Sequence, residues 1–201
     1  SKLRSKILNC LSTNNKVLLK KSSINLAKFM ISKKNNNLIF LNYSPELEKF
    51  LIWCQQLIAE SLGKTNKGFL PVVSNAPKDH HSLLQLYLDG PKDKIFNIFS
   101  AKKNPREEIK INNNTKIASF LNKKKISKVK NAQNKALVKS FERKNIPFRE
   151  FKIKKLNEET LGELFSFFMV ETVIVGKLLG INPFNQPAVE QVKVLTKKSL
   201  K

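Results

Sequence analysis

Along the chain, short apolar runs alternate with longer stretches in which apolar residues recur every three or four positions. Leu38-Ile39-Phe40-Leu41 is a continuous apolar run bounded by asparagines, the mark of a buried strand. A helix is predicted next, with Ser44 as its N-cap, Pro45 in its first position and Gly63 as its stop. The runs at 69–73 and 94–99 predict two more strands, the first weakened by Pro71. A lysine-rich helical pattern covers 115–144, Pro147 ends it, and 148–153 reads as a fourth strand. Asn157 then caps a helix whose first turn carries Glu158 and Glu159, where the helix dipole favours acids, and Gly180 closes it. A last helix starts at Pro187. Residues 1–32 read as a leading helix and 102–114 as a polar loop.

Strands separated by helices require crossover connections. The pattern therefore predicts an α/β fold with a mostly parallel sheet and helices on both faces. No internal repeat or linker is visible, and one domain is the simplest account of 201 residues.

Charge complicates this ordinary picture, because the formal net charge is +23. Clustered cations suit nucleic acid or an anionic membrane surface. Only four of the 38 basic residues are arginines, however, and the lysines travel with asparagines, as in Lys33-Lys34-Asn35-Asn36-Asn37. Base recognition leans on the planar guanidinium fork. The bias is read as a compositional background, with no nucleic-acid partner expected. The charge still favours attraction of small anions, phosphorylated sugars among them. The stretch 165–179 is apolar but interrupted by Glu171 and Lys177, too short and too charged to span a bilayer, and is predicted to be a buried core helix. No secretory signal is legible at 1–10 and no membrane partner is expected. Cys10 and Cys54 make no disulfide framework, and His80 and His81 are adjacent, so no multi-histidine metal site is expected. A reducing cytoplasm is the expected compartment.

Three segments have residues suited to chemistry. In Gln55-Gln56-Leu57-Ile58-Ala59-Glu60-Ser61-Leu62-Gly63-Lys64, Gln56 and Glu60 are four apart and share a helix face. A carboxylate near the carboxyl end of a helix sits against the dipole, which suits a general base; on spacing alone a solvated surface acid is the favoured reading. In Ser74-Asn75-Ala76-Pro77-Lys78-Asp79-His80-His81-Ser82, a strand opens into a short helix at the carboxyl edge of the sheet, where α/β folds gather ligands. A histidine there can exchange protons near neutral pH, or the segment is a capping turn with exposed histidines, its cap supplied by Asp79 or the preceding loop. In Asn182-Pro183-Phe184-Asn185-Gln186-Pro187-Ala188-Val189-Glu190-Gln191-Val192-Lys193, one stripe presents Gln186, Glu190 and Lys193, or Glu190 and Lys193 form a surface ion pair. No Walker or dinucleotide glycine fingerprint and no nucleophile elbow are present.

Taken together and in order, these three segments resemble the glucose-6-phosphate isomerase family in its bacterial form. Gln56 through Lys64 is similar to the family's glutamine-x-x-x-glutamate-serine-x-glycine-lysine element, Pro77 through Lys94 to the segment around its histidine, and Asn182 through Lys193 to the element holding its lysine. The resemblance covers nearly the whole chain. It implies a sugar-isomerase (SIS) domain, a three-layer α/β/α sandwich around a mostly parallel sheet, with a carboxyl-terminal helical extension over 155–201. It implies aldose–ketose isomerisation of glucose 6-phosphate and fructose 6-phosphate in glycolysis and gluconeogenesis, without a cofactor. Glu60 would move the proton between C2 and C1 through a cis-enediol. His81 would assist ring opening, reaching the site of the neighbouring subunit in a homodimer. Lys193 would act on the ring-oxygen side, and Gln56 and Gln186 would bind substrate. The family usually has glutamine before its histidine where His80 stands here. Its first domain, with a serine/threonine-rich phosphate loop, and its enediolate-stabilising arginine have no counterpart in these residues, and Arg4 is not assigned that role. The expectation is that this polypeptide alone has little or no isomerase activity. A second reading is a non-catalytic SIS domain that binds sugar phosphates or a protein partner.

Overall fold

A computed structural model describes residues 14–102, 109–112 and 116–200. In chain order these form helix α1 (Asn14–Ser32), strand β1 (Asn37–Asn42), a 3-10 turn (Pro45–Leu47), α2 (Glu48–Leu62), β2 (Leu70–Asn75), α3 (Lys78–Ser82), α4 (Leu84–Asp89) and β3 (Lys94–Ala101). A second 3-10 segment (Lys116–Leu121), α5 (Ile126–Arg143), β4 (Phe148–Ile153), α6 (Glu158–Leu178) and α7 (Pro187–Ser199) complete the order. The strands make one sheet in the order β2-β1-β3-β4. Strand β3 runs parallel to both β1 and β4, with Leu38 opposite Ile95 and Phe96 opposite Phe148. A mostly parallel sheet flanked by helices is the α/β fold that the alternating pattern predicts.

Among the described residues the chain forms two compact units, one from 14–36, 53–71 and 162–200, the other from 37–52 and 72–161. The second holds most of the sheet. On one sheet face Ile39, Leu41, Phe96 and Ile98 pack with Tyr87 of α4 and with Leu137 and Phe141 of α5. Phe96 lies 5.0 Å from the Tyr87 ring and 4.5 Å from that of Phe141. On the other face, Phe99 stacks on Phe151 at 4.5 Å and meets Phe40 and Phe50. Strand residues alternate between faces, so near-continuous apolar runs such as 38–41 are what a sheet buried on both faces requires.

In the first unit, α1 turns Leu19, Ser23, Leu26, Ala27 and Met30 inward at helical spacing. Trp53 of α2 packs edge-on to Phe165 of α6 at 4.4 Å. Ser22 donates a 2.6 Å hydrogen bond to Glu171, an acid that is buried in α6. Helix α6 is buried along the face of Phe168, Glu171, Thr172 and Val175, while Met169 and Leu178 are exposed. The stretch 165–179 is thus a core helix on one side only. No helix among the described residues is long and apolar enough to cross a membrane.

Several local expectations are met. The Asn157 Oδ1 accepts from the Thr160 N–H at 3.0 Å, closing the predicted cap of α6. At the other end Gly180 takes a left-handed φ of 66°, Ile181 N–H reaches the Gly176 carbonyl at 2.8 Å, and Gly180 N–H that of Lys177 at 3.2 Å. Those two bonds make a Schellman stop.

Three expectations are corrected. The lysine-rich helix begins at Ile126, not near 115. Before it, Ile109 and Ile111 bond the backbone of Lys123, Lys124 and Ile126, and Lys123 has a φ of 57°, so these groups leave the helical ladder. Thr115 and most of the loop predicted at 102–114 lie outside the described residues, as does 1–13 of the leading helix. Ser44 makes no side-chain cap; its hydroxyl accepts from the Ala101 N–H at 2.7 Å and so ties the end of β1 to that of β3. Asp79 caps nothing on α3 either, because its Oδ2 accepts from Asn75 N–H and Ser74 Oγ at 2.8 and 2.9 Å, pinning the end of β2.

Candidate active site

Helix α2 positions the first two residues. Leu51, Cys54, Ile58 and Leu62 are buried along one stripe, which turns Gln56 and Glu60 away from the core. Gln56 Nε2 donates to Glu60 Oε1 at 3.0 Å, the one-turn contact that the spacing predicts. The second carboxylate oxygen, Oε2, accepts from Gln186 Nε2 at 2.8 Å. Gln186 is the residue before α7, whose first helical residue is Pro187. Glu60 is therefore held by two neutral amide donors, one per oxygen, and by no cation among these bonds. Held by amides, such a carboxylate keeps an electron pair available as a proton acceptor.

What brings Gln186 there is the return of the chain after α6. Lys64 Nζ donates to the Asn182 carbonyl and Lys67 Nζ to that of Leu179, both at 2.7 Å. These ammonium groups satisfy carbonyls just past the helix end, where the dipole is negative. Gly176 lets the loop lie close: a Cβ there would stand 3.3 Å from the Ile181 oxygen and 3.3 Å from Pro183. Asn182 adds a turn by accepting the Phe184 N–H at 3.0 Å. Sequence reading assigned no part to Lys67 or Gly176, and treated Lys64 and Asn182 only as members of their motifs. The two lysines act through contacts with chain more than a hundred residues away, which local spacing does not display, while Gly176 makes room for the loop that follows its own helix.

Lys193 lies on α7, where its Nζ pairs with Glu190 Oε1 at 2.6 Å, both side chains exposed. This is the surface ion pair that was one of the two readings of that stripe. It contributes only a few tenths of a kcal/mol, about 0.3–0.5, so the ammonium is easily redirected.

His80 and His81 belong to the other unit, on α3. His80 is half-buried and its Nε2 lies 2.7 Å from the Tyr43 hydroxyl. Burial lowers the His80 pKa, partly offset by Asp79, and burial raises that of Tyr43. Both shifts favour a neutral ring accepting from a protonated phenol. His81 is exposed, with no side-chain partner among the described residues. The two histidines are therefore distinct: one is fixed within its own unit and the other faces outward. The described residues hold no cluster of three or more His, Cys, Asp or Glu suited to a metal.

A mostly parallel α/β fold thus presents, on α2, a glutamate clamped by two glutamine amides. The chain matches the phosphoglucose isomerase family over residues 10–201 and belongs to that family. It is 40% identical over 159 residues to a glucose-6-phosphate isomerase of Mycoplasmopsis synoviae, covering 77% of this chain and 37% of that protein. It is 36% identical over 173 residues to a probable glucose-6-phosphate isomerase of Methanococcus maripaludis, covering 86% and 39%. The chain thus spans less than half the length of these curated relatives. Among solved structures, a hypothetical protein of Thermus thermophilus superposes with a TM-score of 0.87 at 27% identity, over 98% of this chain and 48% of that one. A glucose-6-phosphate isomerase of Chlamydia trachomatis shares the fold, with a TM-score of 0.69 at 19% identity over 83% of this chain and 35% of that one.

Proposed function

We propose that this chain carries the proton-transfer side of an enzyme interconverting glucose 6-phosphate and fructose 6-phosphate. The observation that carries this reading is the Glu60 carboxylate, held on both oxygens by Gln56 and Gln186. In the open-chain sugar, Glu60 takes the proton from C2 and returns it to C1 of the cis-enediol, or the reverse. A carbon-bound proton passes between C2 and C1 and a hydroxyl proton between O2 and O1, so the sugar is rearranged with no oxidant needed. Gln56 and Gln186 hold the carboxylate and offer amides to the substrate hydroxyls. Lys193, released from its exposed pair with Glu190, serves the ring-oxygen side during opening.

His81 is assigned to ring opening in the site of a second copy, so the working unit is a homodimer. Its outward position, against the engaged His80, supports the choice between the two. In this reading 1–201 is one SIS-type domain with a helical extension over 155–201. The phosphate clamp and anion stabiliser come from residues outside it, and the chain alone turns over poorly, because positioning and charge stabilisation each contribute several kcal/mol, on the order of 3.

The test is a chimera in which this chain replaces the matching part of the Mycoplasmopsis synoviae relative, assayed by coupled glucose 6-phosphate formation. Turnover by the chimera and its loss by about 100-fold or more in Glu60→Gln are expected. A Glu60→Gln chimera as active as its parent would overturn the proposal.

A further inference from the structure

Helix α3 carries His81 but has little of its own to hold it in place. Five residues are too few for a self-sustaining helix, and none of the five is buried. Side-chain bonds to the ends of two strands hold it instead. Asp79 Oδ2 accepts from Asn75 N–H and Ser74 Oγ at the end of β2. His80 Nε2 meets the Tyr43 hydroxyl, one residue past β1, at 2.7 Å.

Tyr43 is a firm anchor. It belongs to the buried cluster of Leu41, Ala76 and Tyr87, and its N–H donates to the Phe99 carbonyl at 2.9 Å. The His80 ring stands edge-on to it, with ring centroids 5.5 Å apart at 84°. A buried phenol needs an acceptor, and an imidazole nitrogen without a proton supplies one. Burial favours the neutral form of both groups, with Asp79 opposing it at His80 to a smaller degree. Successive side chains of a helix point about 100° apart. With Asp79 and His80 both turned toward strand ends, the next residue, His81, is left facing solvent.

We infer that the hydrogen bond from the Tyr43 hydroxyl to His80 Nε2 positions His81, by fixing the rotation of α3 and so the direction from which that imidazole reaches a ring-closed sugar phosphate. His80 is thus a positioning residue and takes no part in proton transfer. This rests on the assignment of His81 to ring opening. In that step the C1–O5 bond breaks, O5 gains a proton and O1 loses one, leaving the open-chain aldehyde. Closure on the other face of the aldehyde gives the other anomer. Ring opening is therefore read as exchange between the α and β anomers of glucose 6-phosphate, separately from isomerisation. A displaced imidazole slows this step and leaves the Glu60 step intact.

Two measurements test this. In the 201-residue chain His80 and His81 are the only histidines, so imidazole nitrogen NMR resolves them. His80 is expected to carry its proton on Nδ1. Tyr43→Phe, which keeps the buried ring, and His80→Ala should lower the amide order parameters of 79–82. His80→Gln should restore them, because its amide oxygen accepts from Tyr43 in place of Nε2. In the chimera with the Mycoplasmopsis synoviae relative, Tyr43→Phe and His80→Ala should slow enzymatic anomer exchange by about ten-fold, with His80→Gln close to the parent. Glu60→Gln should keep anomer exchange and lose isomerisation. A proton on His80 Nε2, order parameters indifferent to Tyr43→Phe, or a His80→Gln chimera as slow as His80→Ala would each overturn the inference. Anomer exchange undiminished in Tyr43→Phe would do the same, whereas isomerisation retained in Glu60→Gln would defeat only the proton-transfer reading.

Discussion

The Glu60 carboxylate and the Gln186 amide meet at 2.8 Å across 126 residues of sequence. Gln56 secures the other oxygen from within the same helix, so the two glutamines divide the carboxylate between a local and a distant donor. Replacing Gln186 by Ala is expected to lower kcat of the chimera by about ten-fold, the worth of one hydrogen bond to a charged group. Gln56→Ala should cost a similar factor, because each removes one restraint. Steady-state kinetics of the two single variants and the double variant checks this; a Gln186→Ala enzyme with unchanged kcat would remove the amide from the mechanism.

Gly176 and Gly180 should respond differently to alanine. A methyl at Gly176 meets Ile181 and Pro183, so Gly176→Ala is expected to cost about 1–3 kcal/mol and to shift the amides of the 181–186 loop. At Gly180 nothing stands within 4 Å, and only the left-handed φ is penalised. Gly180→Ala should cost about 1–2 kcal/mol, with Asn there tolerated better. Urea midpoints with amide shifts of Gln186 separate the two effects.

His80 makes stability depend on pH. Burial lowers its pKa in the folded chain, so between that value and the unfolded pKa of about 6.5 the unfolded state binds more protons. This contribution is complete above the unfolded value and is lost as pH falls through the folded one. The urea midpoint should therefore drop on acidification below neutrality, and the drop should shrink in His80→Asn. Equal profiles for the parent and His80→Asn would contradict the assignment.

Cys54 is buried and its thiol pKa is pushed up, first by burial and then by the nearby Glu171 charge. Reaction with a thiol reagent at neutral pH is expected to be about 100-fold slower in the folded chain than in urea. Glu171→Gln should speed it only modestly, because burial is the larger cause. Rapid labelling of Cys54 in the native chain would show that the first unit opens readily. Mass mapping distinguishes it from Cys10.

Much was legible in the sequence because its causes are local. Short apolar runs marked the four strands and period-3.6 patterns the main helices, because burial of a strand on both sheet faces or of one helix stripe is written into local residue order. Asn157 and Gly180 announced the ends of α6 because cap and stop bonds close within a turn. The pairing of Gln56 with Glu60 was visible for the same reason, one helical turn apart.

Only the tertiary structure decided the rest, where a polar group had to choose among partners far along the chain. Ser44 looked like a cap but gives its oxygen to Ala101, a strand end brought alongside by the sheet. Asp79 turns back to β2, and the lysine-rich helix starts late because residues 109–111 compete for its backbone. Of two adjacent histidines, packing against Tyr43 engages His80 and leaves His81 exposed. The sequence by itself determined on which elements Glu60, His80, His81 and Lys193 ride. The second hand on Glu60 was decided by the fold, because hydrogen-bond partners separated by long stretches of chain are selected by packing and not by spacing.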